Sequence, residues 1–234
     1  MRKLRLEDIK EIKIERKVFD ERTLFAIYKL ITKGAIKSVE SLVKEGKESL
    51  IFSAKDKQEN WLALKIYRTL HCDFKSMWKY LIVDPRFSSI KKGRRSVVYN
   101  WCKREFKNLK IAFGVGVSCP LPIAFYENIL VMKFIGKNGT PAPRLIDMSL
   151  RRGEAEYVYK FVLEEMKKLL EARLIHTDLS PYNILIWDKP YLIDFSQAVT
   201  LEHPFAKEFF SRDVKNINSF FKKFEVKIKE LKIE

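Results

Sequence analysis

Residues 174 to 199 read L-I-H-T-D-L-S-P-Y-N-I-L-I-W-D-K-P-Y-L-I-D-F-S-Q-A-V, and the reading of this stretch decides the fold. Asp178 and Asn183 lie five positions apart in a polar loop. Two short apolar runs follow, Ile184-Leu185-Ile186-Trp187 and Tyr191-Leu192-Ile193, with Asp188, Lys189 and Pro190 between them. Such runs flanking a turn predict a small hairpin. Asp194 closes the second run, so the hairpin returns it to the loop where the first run began. Two carboxylates and a carboxamide then converge on one point. Moving a phosphoryl group requires an acceptor for the nucleophile's proton and hard oxygen ligands for magnesium, and this set supplies both.

The stretch follows the kinase catalytic-loop pattern H-x-D-x-x-x-x-N, carried here by His176, Asp178 and Asn183, and the D-F-x metal loop that begins at Asp194. The rest of the chain is legible outward from it. Trp61 to Tyr67 alternates as a strand, with Ala63, Lys65 and Tyr67 on one face and Leu62, Leu64 and Ile66 on the other. Ala63-Leu64-Lys65 fits the A-x-K core of the kinase strand whose lysine reaches nucleotide phosphates. A helix from Val98 carries Trp101, Cys102, Phe106 and Leu109 on one side, with Glu105 on or near the buried face. A buried carboxylate is costly without a partner, and Lys65 is the natural one. The expected fold is α+β and protein-kinase-like. Its two lobes are an antiparallel-sheet N-lobe with its αC helix and a reduced helical C-lobe.

Composition bounds the partners. The 234 residues carry 46 Lys+Arg against 30 Asp+Glu, a net charge of +16, with 47% apolar residues for a core. Such a surplus predicts a polyanionic partner, nucleic acid or a membrane surface, or else only a basic background. Cys72, Cys102 and Cys119 are widely spaced with no C-x-x-C pair, as expected for thiols in a reducing compartment. No apolar run reaches transmembrane length and no signal-peptide core opens the chain, so a soluble cytoplasmic protein is expected.

In chain order, residues 1–18 read as a basic arm. A helix is predicted from the N-cap Asp20, with Leu24, Ile27, Tyr28 and Ile31 on one face and Gly34 at its end. Ala35 to Leu42 reads as a connector. Lys44 to Ser49 reads as a polar turn with a single glycine and no G-x-G-x-x-G fingerprint, either an ordinary hairpin turn or the place where Gly46, Lys47 and Glu48 would cover nucleotide phosphates. Arg68 to Ser96 reads as a long, basic, irregular segment, either a mobile anion-binding element or a solvated loop. Ile123-Ala124-Phe125 and Ile129 to Met132 read as adjacent strands across a turn at Glu127-Asn128. Lys133 to Gly136 follows as the hinge and Lys137 to Pro143 as a linker. Val158, Phe161, Val162, Met166, Leu169 and Leu170 form a helical stripe. A last helix carries Phe210, Val214, Ile217 and Phe221, and a charged tail ends the chain. The domain boundaries follow: 1–18 arm, 19–135 helix and N-lobe, 136–234 hinge, linker and truncated C-lobe. Only 40 residues follow Asp194, too few for the peptide platform of an ordinary protein kinase, and Ser196 replaces the glycine of D-F-G.

From Val18 to Phe221 the chain resembles the RIO family of atypical serine/threonine kinases, and within it the RIO1 type. The segments that carry this are V-F-D-E-R-T-L-F-A-I-Y-K-L (18–30), G-K-E (46–48), L-K-I-Y-R-T (64–69), Y-L-I-V-D-P-R-F (80–87), K-R-E-F-K-N-L (103–109), V-M-K-F-I-G (131–136), H-T-D-L-S-P-Y-N-I-L (176–185) and I-D-F-S-Q-A-V (193–199). General kinases share neither 18–30 nor 80–109. The absence of a winged-helix domain argues against the RIO2 type, and the length is similar to that of archaeal members. The resemblance implies ATP and Mg2+, with Mn2+ able to substitute. It implies that Lys65 binds phosphates and pairs with Glu105, that Asp178 is the catalytic aspartate, and that Asn183 and Asp194 hold the metal. Met132, Lys133 and Ile135 would line the adenine pocket, the latter two through backbone. It also implies a transiently phosphorylated Asp194, nucleophile as well as ligand, and an ATPase switch in small ribosomal subunit maturation. The partner would be the precursor particle, its rRNA and ribosomal proteins, bound by a monomer. The family usually has Ser-Thr before G-K-E, whereas this chain has Lys44-Glu45, so hydroxyl contacts to phosphate are expected to be lost. Two other readings stand beside this one. The first is a nucleotide-gated assembly scaffold with little turnover. The second is another kinase-like phosphotransferase of the Bud32 or aminoglycoside type.

Overall fold

The computed structural model describes residues 19–69, 72–87, 90 and 93–233. The basic arm expected over 1–18, and Lys91-Lys92 of the basic segment, lie outside the described residues. The chain forms two compact units. The first takes residues up to Trp78, Ile90–Lys103 and Pro122–Pro141, and the second takes Lys79–Ser89, Arg104–Leu121 and Ala142 onward.

The first unit begins with helix α1, Glu21–Thr32, capped by Asp20, whose Oδ1 accepts the Thr23 N–H at 2.7 Å. Gly34 stops it at φ +72°, the left-handed conformation in which glycine carries no steric penalty. Its buried face centres on Thr23, Ala26, Ile27 and Leu30, one position round from the expected stripe. Leu24, Tyr28 and Ile31 sit at the edge of that face. Strands β1 (Ser38–Glu45), β2 (Ser49–Lys55), β3 (Trp61–Tyr67), β4 (Pro122–Tyr126) and β5 (Ile129–Lys133) build an antiparallel sheet in the order β1-β2-β3-β5-β4. The expected connector over 35–42 is therefore partly strand. Ala26, Ile27 and Leu30 of α1 pack with Phe52, Leu62, Leu64, Ile66, Ile129 and Val131 in the core. The expected linker from Lys137 is also corrected. Strands β6 (Gly136–Lys137) and β7 (Thr140–Pro141) pair through Asn138 and Gly139, both at positive φ, the turn that a two-residue hairpin favours. A Cβ on Gly139 would lie 2.9 Å from the Trp61 ring, so only glycine fits.

The segment Arg68–Ser96 holds more structure than expected. Helix α2 spans Phe74–Ile82, Pro85–Phe87 form one 3-10 turn, and helix α3 runs Arg94–Gly114, so Arg94 and Arg95 lie in a first helical turn. The first half of α3 belongs to the first unit and the second half to the other.

In the second unit, helix α4 (Arg152–Glu171) buries Val158, Tyr159, Val162, Met166 and Leu169. Strands β8 (Leu174–Ile175) and β11 (Val199–Thr200) pair. Strands β9 (Ile184–Ile186) and β10 (Pro190–Leu192) form the expected hairpin, with Pro190 in the second strand opposite Ile186 rather than in the turn. Helix α5, Ala206–Lys222, buries Phe210, Val214, Ile217 and Phe221 as its spacing predicts. The charged tail is not loose. The Lys229 N–H donates to the Tyr159 hydroxyl at 2.8 Å, which donates to Asn218 Oδ1 at 2.8 Å, and Asn218 Nδ2 donates to the Lys229 carbonyl at 3.1 Å. Val226, in the same tail, is buried. No helix among the described residues is long and apolar enough to cross a membrane.

Candidate active site

The loop after β8 holds Asp178 out from a fixed backbone. Asp178 is exposed, whereas Thr177 and Leu179 on either side are buried. Both flanking amides are bound by one side chain of α5. Asp213 accepts the Thr177 N–H at 2.8 Å through Oδ2 and the Leu179 N–H at 3.0 Å through Oδ1. Arg212 donates to the Thr177 carbonyl, and Asn216 Nδ2 donates to the Leu179 carbonyl at 3.2 Å. Thr177 has φ +68°, unusual for a β-branched residue, so these bonds hold a strained backbone in place. Burial pushes the Asp213 carboxyl up to about 7, helped by the Asp178 charge and opposed by the two amides and Arg212.

Asn183 closes the loop. Its Nδ2 donates to the Asp178 carbonyl at 2.8 Å and to Asp178 Oδ2 at 3.0 Å. The hairpin β9–β10 then brings the chain back. The Ile193 N–H donates to the Asn183 carbonyl at 3.0 Å, which sets Asp194 beside Asn183. His176 lies 2% exposed under this turn. Its Nε2 is 2.9 Å from the Ile193 carbonyl and its ring packs on Phe195, a structural role. Asp194 itself adopts φ +64°, and its Oδ1 accepts the Ser196 hydroxyl at 2.7 Å.

A buried polar network holds the loop after Asp194. Asp84 accepts Arg86 through both carboxylate oxygens, at 2.9 and 2.7 Å, and Arg104 at 3.2 Å. Arg104, fully buried, donates to the carbonyls of Ser196 at 2.9 Å and Gln197 at 3.3 Å. Asn108 Nδ2 donates to the carbonyls of Phe195 and Ala198, both at 2.9 Å, while its Oδ1 accepts Arg86 at 2.9 Å. Burial would raise the Asp84 carboxyl, but hydrogen bonds and charge from Arg86, with the charge of Arg104, hold it below its ordinary value. Burial brings Arg104 down to about 10, against the pull of Asp84.

In the first unit, Lys65 lies on β3, 4% exposed, opposite Leu130, with its ammonium 5.1 Å from the Tyr67 ring centroid. Gly46, Lys47 and Glu48 form the turn between β1 and β2, closed by the Gly46 N–H to the Ser49 carbonyl at 2.9 Å. Lys44 and Glu45 belong to β1 rather than to the turn, and the Glu45 carboxylate pairs with Arg68. Met132 and Lys133 end β5, and Ile135 is buried just beyond. Glu105 falls in the second unit, 1% exposed, in keeping with its expected place on the buried face of its helix.

The second unit thus brings Asp178, Asn183 and Asp194 together. Asn183 gives its amide protons to Asp178, and its side-chain oxygen is the atom an amide can offer a cation. Two protein oxygens with the balance from phosphates and water suit magnesium, which keeps several of its waters. The described residues hold no cluster of three His, Cys, Asp or Glu side chains that would form a closed metal cage. Asp213, Arg104 and Asn108 escaped the sequence reading. Their signal was a polar residue inside an apolar stripe: Asp213 three positions after Phe210, and Arg104 and Asn108 four apart beside Trp101 and Leu109.

The RIO domain family model matches residues 50–233. The RIO-type serine/threonine-protein kinase Rio1 of Methanocaldococcus jannaschii is 40% identical over 220 residues, 93% of this chain and 74% of the relative. That of Haloferax volcanii is 40% identical over 222 residues, 94% of this chain and 76% of the relative. The human serine/threonine-protein kinase RIO1 is 34% identical over 228 residues, 96% of this chain and 40% of the relative. Among solved structures, the Rio2 kinase of Chaetomium thermophilum in an ADP/Mg2+-phosphoaspartate complex superposes with a TM-score of 0.70 at 24% identity. It covers 89% of this chain and 63% of that one. That likeness shows the two-lobed kinase-like α+β fold.

Proposed function

We propose, since this chain belongs to the RIO family and within it is a RIO1-type atypical serine/threonine kinase, that it uses Mg-ATP and that its phosphoryl transfer centres on Asp178. The observation that carries this is the bonding of Asn183 to Asp178 on a loop whose flanking amides Asp213 holds. Asp178 would accept the proton of the attacking hydroxyl or water from a position that costs no reorganisation at the moment of reaction. Asn183 and Asp194 would hold magnesium. When bound, the ion neutralises charge on the transferring phosphates. Lys65 would contact those phosphates, and the backbone at Lys133 and Ile135, with Met132, would receive adenine. In the solved Rio2 complex the bound species are named as ADP, Mg2+ and phosphoaspartate. For this chain Asp194 is the carboxylate proposed to take the phosphoryl group, so the resemblance supports autophosphorylation there.

The physiological setting proposed is small ribosomal subunit maturation, with the net charge of +16 directed at rRNA phosphates. One observation favours a second reading, a nucleotide-gated scaffold with little turnover. The family's hydroxyl position before G-K-E holds Glu45, whose carboxylate is committed to Arg68 and cannot donate to phosphate. Multiple-turnover ATP hydrolysis, with and without precursor particles, separates the two. Turnover stimulated by particles and abolished in Asp178→Ala supports the enzyme. Nucleotide binding with no turnover under any condition overturns it in favour of the scaffold.

A further inference from the structure

Ser196 stands where D-F-G loops carry glycine, and its side chain is not idle. It is 7% exposed, and its hydroxyl donates to Asp194 Oδ1 at 2.7 Å while its own N–H approaches the same oxygen at 3.4 Å. The backbone that presents this hydroxyl is clamped. All four carbonyls from Phe195 to Ala198 accept from α3, two from Arg104 and two from Asn108. A carboxylate on a short side chain can present either oxygen by rotation about its last bond. Here one oxygen has a buried partner that is itself fixed.

We infer that Ser196 is a positioning residue for Asp194: its hydroxyl, set by the Arg104–Asn108 clamp, fixes the rotation of the Asp194 carboxylate. A divalent cation arriving with nucleotide phosphates then meets a preset oxygen. The inference rests on the Mg-nucleotide reading above and adds to it the reason for a serine at this position. Partners that orient a ligating carboxylate are worth about 10- to 100-fold in metal affinity. Since the Ser196 N–H stays near Oδ1 when the hydroxyl is removed, the lower end of that range is expected.

The test compares ADP binding by calorimetry in Mn2+ with ADP binding in chelator, for wild type, Ser196→Ala, Ser196→Gly and Ser196→Thr. The ratio of the two affinities isolates the metal's share, which a general loss of stability would not move. Both hydroxyl-free variants should lose about tenfold of the metal enhancement with unchanged metal-free ADP affinity, and Ser196→Thr should retain it. Full enhancement in either hydroxyl-free variant, or an equal loss in Ser196→Thr, overturns the inference while leaving the Mg-nucleotide reading intact. No metal enhancement in the wild type overturns both.

Discussion

Asp213→Asn separates positioning from stability at this site. In the wild type, burial puts the Asp213 carboxyl at about 7 against an ordinary 3.8. The folded protein therefore holds a proton between these values that the unfolded chain has released. Its stability contribution is full below pH 3.8 and is lost as pH rises through about 7, a fall of roughly 4 kcal/mol in all and roughly 3 kcal/mol from pH 5 upward. Asparagine carries no such slope. It does lose one of the two bonds to Thr177 and Leu179, about 1.5–3 kcal/mol for a charge-assisted bond, because its amide nitrogen faces a backbone N–H. The two effects nearly cancel at pH 8, where the variant should unfold in urea within about 2 kcal/mol of wild type. Between pH 8 and pH 5 the gap should swing in the wild type's favour by roughly 3 kcal/mol. Catalysis should respond differently. A loop displaced by about 1 Å at Asp178 costs on the order of 100-fold in rate. The assays are urea unfolding across pH 5 to 8 and single-turnover phosphoryl transfer at pH 8. A pH-independent stability gap would refute the buried-carboxyl argument, and an unchanged single-turnover rate would refute the positioning of the loop by α5.

Three further outcomes follow from the geometry. Gly139→Ala adds a Cβ at 2.9 Å from Trp61 at a φ of +77° and should lower stability by about 1–3 kcal/mol, read as a drop in thermal midpoint. Arg104→Lys replaces a fork that serves Asp84 and two carbonyls with a point charge, and about 2–3 kcal/mol of stability should be lost on urea unfolding. Burial, with the Glu165 charge, pushes the Cys119 thiol up to about 12, so iodoacetamide at pH 8 should leave it intact in folded protein. Half-buried Cys72 should label first, and equal labelling of the two by mass spectrometry would contradict the assignment.

The loop and hairpin that join Asp178, Asn183 and Asp194 were legible because their logic is local, with a spacing visible in the chain. β3 and α5 were legible for the same reason, since their periods are unbroken. β1 was hidden because its register slips between Val39 and Leu42 and again between Leu42 and Lys44, which destroys the alternation by which a strand is recognised. α2 was hidden because only nine residues carry its pattern, with Met77 and Leu81 buried among lysines. Arg104 and Asn108 serve carbonyls about 90 residues further along, and no local pattern announces a partner at that distance. Glu105 was found on the same helix because an isolated carboxylate on an apolar face demands explanation, whereas an arginine there passes for a snorkelling side chain.

The bond ring among Tyr159, Asn218 and Lys229 bears on how this protein is handled. Its last stretch is charged and has no regular secondary structure, which invites a trimmed expression version ending at Lys222 or a tag fused there. Such a cut would remove buried Val226 and leave the hydroxyl of the buried Tyr159 on α4 without the Lys229 amide proton it accepts. A version shortened to Lys222 should arrive at the bench as a weakened protein rather than a tidier one.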